Sequence, residues 1–221
     1  MTPHPDIEAI VFDILGTMVD EPGGIRRALR TARPDADDAA AADRWAVHVD
    51  EQQREIVAGR RPYAASTVID GEAAAAATGT ADGADAVAAD ALRLEPWPDS
   101  VAALDRLAAR YPVIGLSNAS PAALTRISAH AGLRWHQLLS GEDVRTYKPD
   151  PEVYRLAIRA TGAAPERLLM VAAHAWDLRG AQAVGMRTAY VARPVGDPPA
   201  PSDSFDLTAT GLDDLATQLG A

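Results

Sequence analysis

The stretch Ala9-Ile10-Val11-Phe12-Asp13-Ile14-Leu15-Gly16-Thr17 decides how this chain is read. Its first four residues are apolar without a polar break, the pattern of a strand buried on both faces. A carboxylate follows at once. Then come a glycine that permits a tight turn and a hydroxyl able to donate a hydrogen bond to that carboxylate. An aspartate held at the tip of a buried strand can act as a nucleophile that divides a displacement into two easier steps, or it can simply cap the turn.

Working outward, three more short apolar runs end at small or polar residues: Val113-Ile114-Gly115-Leu116, Leu168-Leu169-Met170-Val171 and Thr188-Ala189-Tyr190-Val191. Helix-patterned stretches lie between them, over Pro121 to Ala131, Pro151 to Thr161 and Leu178 to Val184. Strands alternating with helices predict an α/β fold with a doubly wound, Rossmann-like parallel sheet. Such sheets collect ligands in the crevice beyond the carboxyl ends of their strands. Asp13 and Ser117 each follow a strand directly, and Asp177 follows a short loop after another, so residues distant in sequence are expected to converge at one edge.

The first two strands are too far apart for a single crossover. The intervening segment reads as four helices, over Arg26 to Ala32, Asp37 to Gly59, Val68 to Thr78 and Ala84 to Leu94, punctuated by Gly and Pro. This predicts a helical cap over residues 21–95, inserted above the crevice, with residues 1–20 and 96–221 forming the catalytic core. The linker Glu95-Pro96-Trp97-Pro98-Asp99 is stiffened by two prolines. The segment Pro194 to Asp203 reads as loop, and a last amphipathic helix is expected over Leu212 to Leu219.

A formal charge of −10 argues against nucleic-acid or anionic-membrane partners, both of which require a basic face. A small anionic substrate can still bind through a local cluster of donors. The chain has no cysteine, which excludes disulfides, thiolate metal sites and cysteine nucleophiles. Met1 to Ile10 lack the layout of a signal peptide, and no apolar run approaches the ~20 residues that span a bilayer. The expectation is a soluble, cytoplasmic protein.

Three further motifs carry chemistry. Leu116-Ser117-Asn118-Ala119-Ser120-Pro121 places a hydroxyl, an amide and free backbone N–H groups where a helix begins, which makes either an anion site or an ordinary N-cap. In Tyr147-Lys148-Pro149-Asp150, the lysine can stabilise an anionic Asp13 and neutralise a substrate, or can stand in solvent. Ala172-Ala173-His174-Ala175-Trp176-Asp177 brings a second carboxylate, an imidazole and a large aromatic after a strand. His174 is either a general base or a hydrogen-bonded loop residue, and Trp176 is a packing candidate.

Taken in order from Ile7 to about Val191, these four motifs resemble those of the haloacid dehalogenase superfamily, and within it the L-2-haloacid dehalogenases. Phosphatases of that superfamily usually carry a general acid two residues after the nucleophile and a metal-binding acid four residues before the final aspartate. Here those positions are Leu15 and Ala173. The resemblance therefore points to the metal-independent dehalogenase branch, with no cofactor.

It implies that Asp13 attacks the halogen-bearing carbon of an (S)-2-haloacid and that water then hydrolyses the ester to an (R)-2-hydroxyacid. It further implies that Thr17 positions Asp13, and that Lys148 and Asp177 hold the charge arrangement, with Asp177 orienting water. Leu15, Ser117, Asn118, Tyr154, His174 and Trp176 fall on the substrate side, and a homodimer is a candidate assembly. The family's cap arginine follows a tryptophan; here Ala46 follows Trp45, leaving Arg44 and Arg54 as candidates for its role. Three alternatives stay open: the same ester chemistry on a non-halogenated electrophile, a magnesium-dependent phosphatase, and a catalytically silent binding protein.

Overall fold

The computed structural model describes residues 6–221, so Met1–Pro5, half of the stretch read for a leader, lies outside the described residues. Six strands form one sheet in the order β3-β2-β1-β4-β5-β6, every neighbouring pair parallel. They are β1 Ala9–Phe12, β2 Val113–Ser117, β3 Gln137–Ser140, β4 Leu168–Ala172, β5 Arg187–Val191 and β6 Leu207–Ala209. β1 sits centrally and alternates its side chains between two apolar layers. Ile10 and Phe12 join one layer, with Leu104, Leu107, Leu124 and Leu215, while Ala9 and Val11 join the other, with Leu116, Val153, Tyr154 and Met170. A strand covered on both faces needs an unbroken apolar run, which is why β1, β2, β4 and β5 stood out in the sequence.

The edge strands did not stand out. Gln137-Leu138-Leu139-Ser140 and Leu207-Thr208-Ala209 are short and mix polar with apolar residues, as strands with one free edge do. Helix α5, Ser100–Ala108, also went unanticipated, although Ala103, Leu104 and Leu107 form a regular buried stripe. The remaining core helices are α6 Pro121–Ala131, α7 Pro151–Thr161, α8 Ala175–Ala183 and α9 Leu212–Gln218. α8 starts three residues before the expected Leu178, so Asp177 lies in its first turn rather than in a loop.

Between β1 and β2 run α1 Glu21–Ala32, α2 Asp38–Val57, α3 Ser66–Thr78 and α4 Ala84–Ala91. α1 begins at Glu21, five residues before the expected Arg26, because the Asp20 side chain accepts from Gly23 N and Pro22 sits in the first turn. These four helices surround an apolar cluster of their own, in which eight of eleven buried residues are alanine; Ile25, Leu29 and Trp45 are the others. The two ends of the insertion are tied together, with Asp20 N donating to Glu95 O (2.9 Å) and Trp97 N to Met18 O (3.2 Å). No described helix is long and apolar enough to cross a membrane.

Candidate active site

Register in a parallel sheet aligns strand ends. Phe12 lies opposite Gly115 on β2 and Val171 on β4, so the turns after all three strands emerge at one edge. Asp13 leads the first of these turns. Gly16 holds the turn with φ of +75°, a conformation that favours glycine, and a Cβ there would lie 2.7 Å from His174 Nε2. Trp97 Nε1 donates to Gly16 O (3.0 Å) and Arg193 Nε to Thr17 O (2.8 Å), which fixes the turn from outside.

The two oxygens of Asp13 are held by different partners. Thr17 Oγ1 donates to Oδ2 at 2.7 Å and itself accepts from Ala173 N at 2.9 Å; Lys148 Nζ donates to Oδ1 at 3.0 Å. The same ammonium donates to Asp177 Oδ2 at 2.7 Å, and Tyr154 Oη donates to Asp177 Oδ1 at 2.7 Å. One cation thus bridges two carboxylates. The side chains of Lys148 and Asp177 are 1% and 0% exposed and that of Asp13 is 9% exposed, so Asp13 is the member of the trio that an incoming molecule can touch.

Burial works against the charge on Lys148, but the adjacent Asp13 and Asp177 carboxylates outweigh it and hold the ammonium above its ordinary range. Burial raises Asp177, against the pull of Lys148 and with the repulsion of Asp13. The Tyr154 phenol is pushed up by burial and by Asp177 beside it, so it remains a donor.

The other anticipated residues fall into two groups. Asn118 lies at the boundary with the helical insertion, donating through Nδ2 to Gln53 Oε1 (2.8 Å) and accepting Lys148 N on Oδ1 (2.8 Å). Leu15, Asn118 and Ala119 line a narrow cleft whose opposite wall is Glu21, Ile25, Trp45, Gln53 and Asp70. Trp176 is partly exposed and lines, with Gln53, Arg54 and Lys148, a second opening of ≈ 500 Å³. His174 packs between Gly16 and Trp176, its ring 5.9 Å from the indole.

Ser117 and Tyr154, expected on the substrate side, are both buried in this structure. Ser117 is 1% exposed, and its hydroxyl accepts from Ala119 N (3.2 Å) inside the turn. Tyr154 is fully buried behind Asp177, packed in the apolar layer beneath the sheet. A helix residue facing the sheet could not also face the cleft.

Of the two candidate arginines, Arg44 turns away: its guanidinium donates to Ala77 O (3.0 Å) within the insertion. Arg54 lines the same opening as Lys148 but is exposed and paired with Asp50 (2.7 Å). Glu21, Asp70 and Gln53 were missed. Each sits on a helix, where a polar residue reads as a solvated face, and only the packing of α1, α2 and α3 together turns all three into the cleft.

Comparison with known proteins agrees with this geometry. The model of the haloacid dehalogenase-like hydrolases matches residues 7–185. A curated (S)-2-haloacid dehalogenase of Pseudomonas sp. (strain YL) is 40% identical over 107 residues, 46% of this chain and 45% of the relative. One of Pseudomonas fluorescens is 37% identical over 48% of each chain, so the aligned part spans about half the length of these curated relatives.

Solved structures match more widely. A defluorinating L-2-haloacid dehalogenase superposes with a TM-score of 0.89 at 32% identity, covering 98% of both chains. The L-2-haloacid dehalogenase of Xanthobacter autotrophicus with chloropropionic acid covalently bound superposes with a TM-score of 0.86 at 25% identity, covering 97% of this chain and 99% of that one. A sheet edge that pairs a reachable aspartate with a sequestered Lys–Asp couple, on this topology and with these matches, makes the chain a member of the haloacid dehalogenase-like hydrolase family.

Proposed function

We propose that the chain is a hydrolytic dehalogenase that converts small (S)-2-haloacids to (R)-2-hydroxyacids and halide through an ester on Asp13. The observation that carries this reading is the Asp13–Lys148–Asp177 arrangement together with aliphatic side chains at Leu15 and Ala173. A halide departs as a stable anion and needs no proton, so a missing general acid costs this reaction nothing. An alkoxide leaving group would need one.

In the first step an Asp13 oxygen attacks the carbon bearing the halogen from the side opposite it, forming the C–O bond as the carbon–halogen bond breaks. Thr17 and Lys148 each fix one oxygen and so aim the carboxylate. In the second step water attacks Asp13 Cγ. The bond from Cγ to the alkylated oxygen breaks, Asp13 regains its charge, and the hydroxyacid leaves with an oxygen that came from Asp13. Asp177, fixed by Lys148 and Tyr154, would orient that water by turning one oxygen from these partners once Asp13 is esterified. The backbone N–H of Asn118 would take the substrate carboxylate, and the four-helix insertion would serve as a cap that excludes bulk water from the first step.

Incubation with (S)-2-chloropropionate in EDTA should release chloride, and an Asp13→Asn control should release none. Single turnover in ¹⁸O-water should place the label in Asp13 rather than in the product. Chloride release no greater than the control's would sink the reading. A second reading, the same ester chemistry on a non-halogenated electrophile, is favoured by Ala46 in place of the family's cap arginine and predicts an Asp13 adduct from such a compound.

A further inference from the structure

The wall of the cleft facing Asn118 and Ala119 carries two carboxyl groups, Glu21 at the start of α1 and Asp70 in α3. We propose that Glu21 and Asp70 are substrate-binding residues that work as neutral carboxylic acids, donating hydrogen bonds to the carboxylate or departing halide of a 2-haloacid where a cation would otherwise be expected. The assignment rests on the dehalogenase reading of Asp13 and names the groups that complete its binding pocket.

Three observations support it. First, both side chains open into the same small cleft, among the apolar walls of Leu15, Ile25, Leu92 and Leu94. Second, among the described residues no ion pair or hydrogen bond engages either carboxyl; the groups that act on them are burial and, for Glu21, the carboxylates of Asp70 and Asp13. Third, the nearest ammonium, Lys148, is already shared between Asp13 and Asp177. If both acids were ionised, their charges would repel each other and Asp13 with no cation acting on either.

Burial together with Asp70 and Asp13 lifts Glu21 to about 8, and burial lifts Asp70 to about 7. The first turn of α1 favours a charged Glu21, but a helix terminus moves a carboxyl by less than about one pH unit, too little to reverse the effect. The other charged groups around the pair do not rescue the anion. Arg26 from α1, with Asp43 and Asp50 from α2, lines the adjoining cleft beside Glu21, and Arg126 from α6 with Asp85 from α4 lines the one beside Asp70. Neither arginine is among the groups that shift the pair, Glu72 is held by Arg61, and His174 lies across the nucleophile turn against Gly16. A neutral acid in such a place carries a proton that needs an acceptor. The anionic end of the substrate supplies one.

The test is chloride release from (S)-2-chloropropionate across about pH 6 to about pH 10, with calorimetric binding of unreactive propionate measured in parallel. Wild type should lose at least about tenfold in kcat/KM between pH 7 and pH 9, chiefly through KM, with propionate binding weakening in step. The double variant Glu21→Gln/Asp70→Asn, whose amides donate at every pH, should lose that alkaline limb and bind propionate equally at both extremes. Glu21→Leu, which keeps the volume and removes the donor, should be weakened throughout.

Two results would overturn the proposal: an alkaline limb that persists in the double variant, or a Glu21→Gln enzyme as impaired at pH 7 as Glu21→Leu. The second would mean that the charged carboxylate matters and that the pocket takes a cation. Absent chloride with pH-dependent propionate binding would strike only the dehalogenase reading. Propionate binding that is absent, or flat with pH in wild type, would strike the acid pair.

Discussion

The sheet edge and the helical wall of the cleft treat charge in opposite ways. On the sheet side every ionisable group has a partner: Asp13 has Thr17 and Lys148, and Asp177 has Lys148 and Tyr154. On the helical side Glu21 and Asp70 have none. Groups that neutralise one another can hold a carboxylate in one fixed orientation. A wall of unpartnered acids leaves its hydrogen-bonding capacity to whatever enters. On the proposed reading the contrast would separate machinery for bond-making from machinery for choosing a substrate, and it can be attacked from either side.

The largest effect is expected on the sheet side. Lys148→Met leaves Asp13 and Asp177 without their shared cation and should cost about 3–5 kcal/mol in a urea titration, with kcat reduced by at least about a hundredfold. If stability is unchanged, the trio does not depend on its ammonium. Next comes Glu21→Gln. The folded-state value of about 8 lies above the ordinary 4.5, so wild type keeps its full stability below about pH 4.5 and loses part of it as pH climbs through 8. The variant has nothing to ionise there. Its advantage should grow over that window to about 2 kcal/mol, discounted because the side chain is partly open to solvent. Urea midpoints near pH 5 and pH 8.5 would read it, and parallel curves would refute it.

Smaller still, Tyr154→Phe should cost about 1–2 kcal/mol by freeing one oxygen of buried Asp177 and should lower kcat while leaving KM in place. A selective rise in KM would return Tyr154 to the substrate side. The smallest effect belongs to the arginines. Arg54→Ala should reduce kcat/KM only a few-fold and less at high salt, because it stands exposed at the opening. Arg44→Ala should leave kcat/KM alone.

Much of the sheet wall was legible in the sequence because its groups follow strands, and strands buried on both faces announce themselves as apolar runs. Asp13, Thr17 and Asp177 could be picked out this way, while Lys148, 135 residues from Asp13, was found only through its motif before a helix opened by proline. The helical wall was not legible. Glu21 and Asp70 have the spacing of ordinary solvent-facing acids, and nothing local distinguishes them from Glu51 or Asp85. Their meaning comes from three helices crossing at one place, which periodicity does not encode. The same limit explains Tyr154: a motif can place a residue near the site, but its helical face decides whether it looks at the substrate or at the aspartate behind it.

The alanine-rich interior of α1–α4 bears on how the molecule moves. A buried alanine contributes one methyl group where leucine or isoleucine contributes several carbons, at roughly 0.8 kcal/mol per buried methylene-sized group, so this cluster coheres less strongly than the layers around the sheet. Regions with few apolar contacts open at lower free energy than the global transition. Backbone amides in α1–α4 should therefore exchange with deuterated solvent well before those of β1 and β4. Side-chain size would then set two timescales: a sheet that stays shut for the life of the fold, and a helical roof that, on the proposed reading, would lift to let product out.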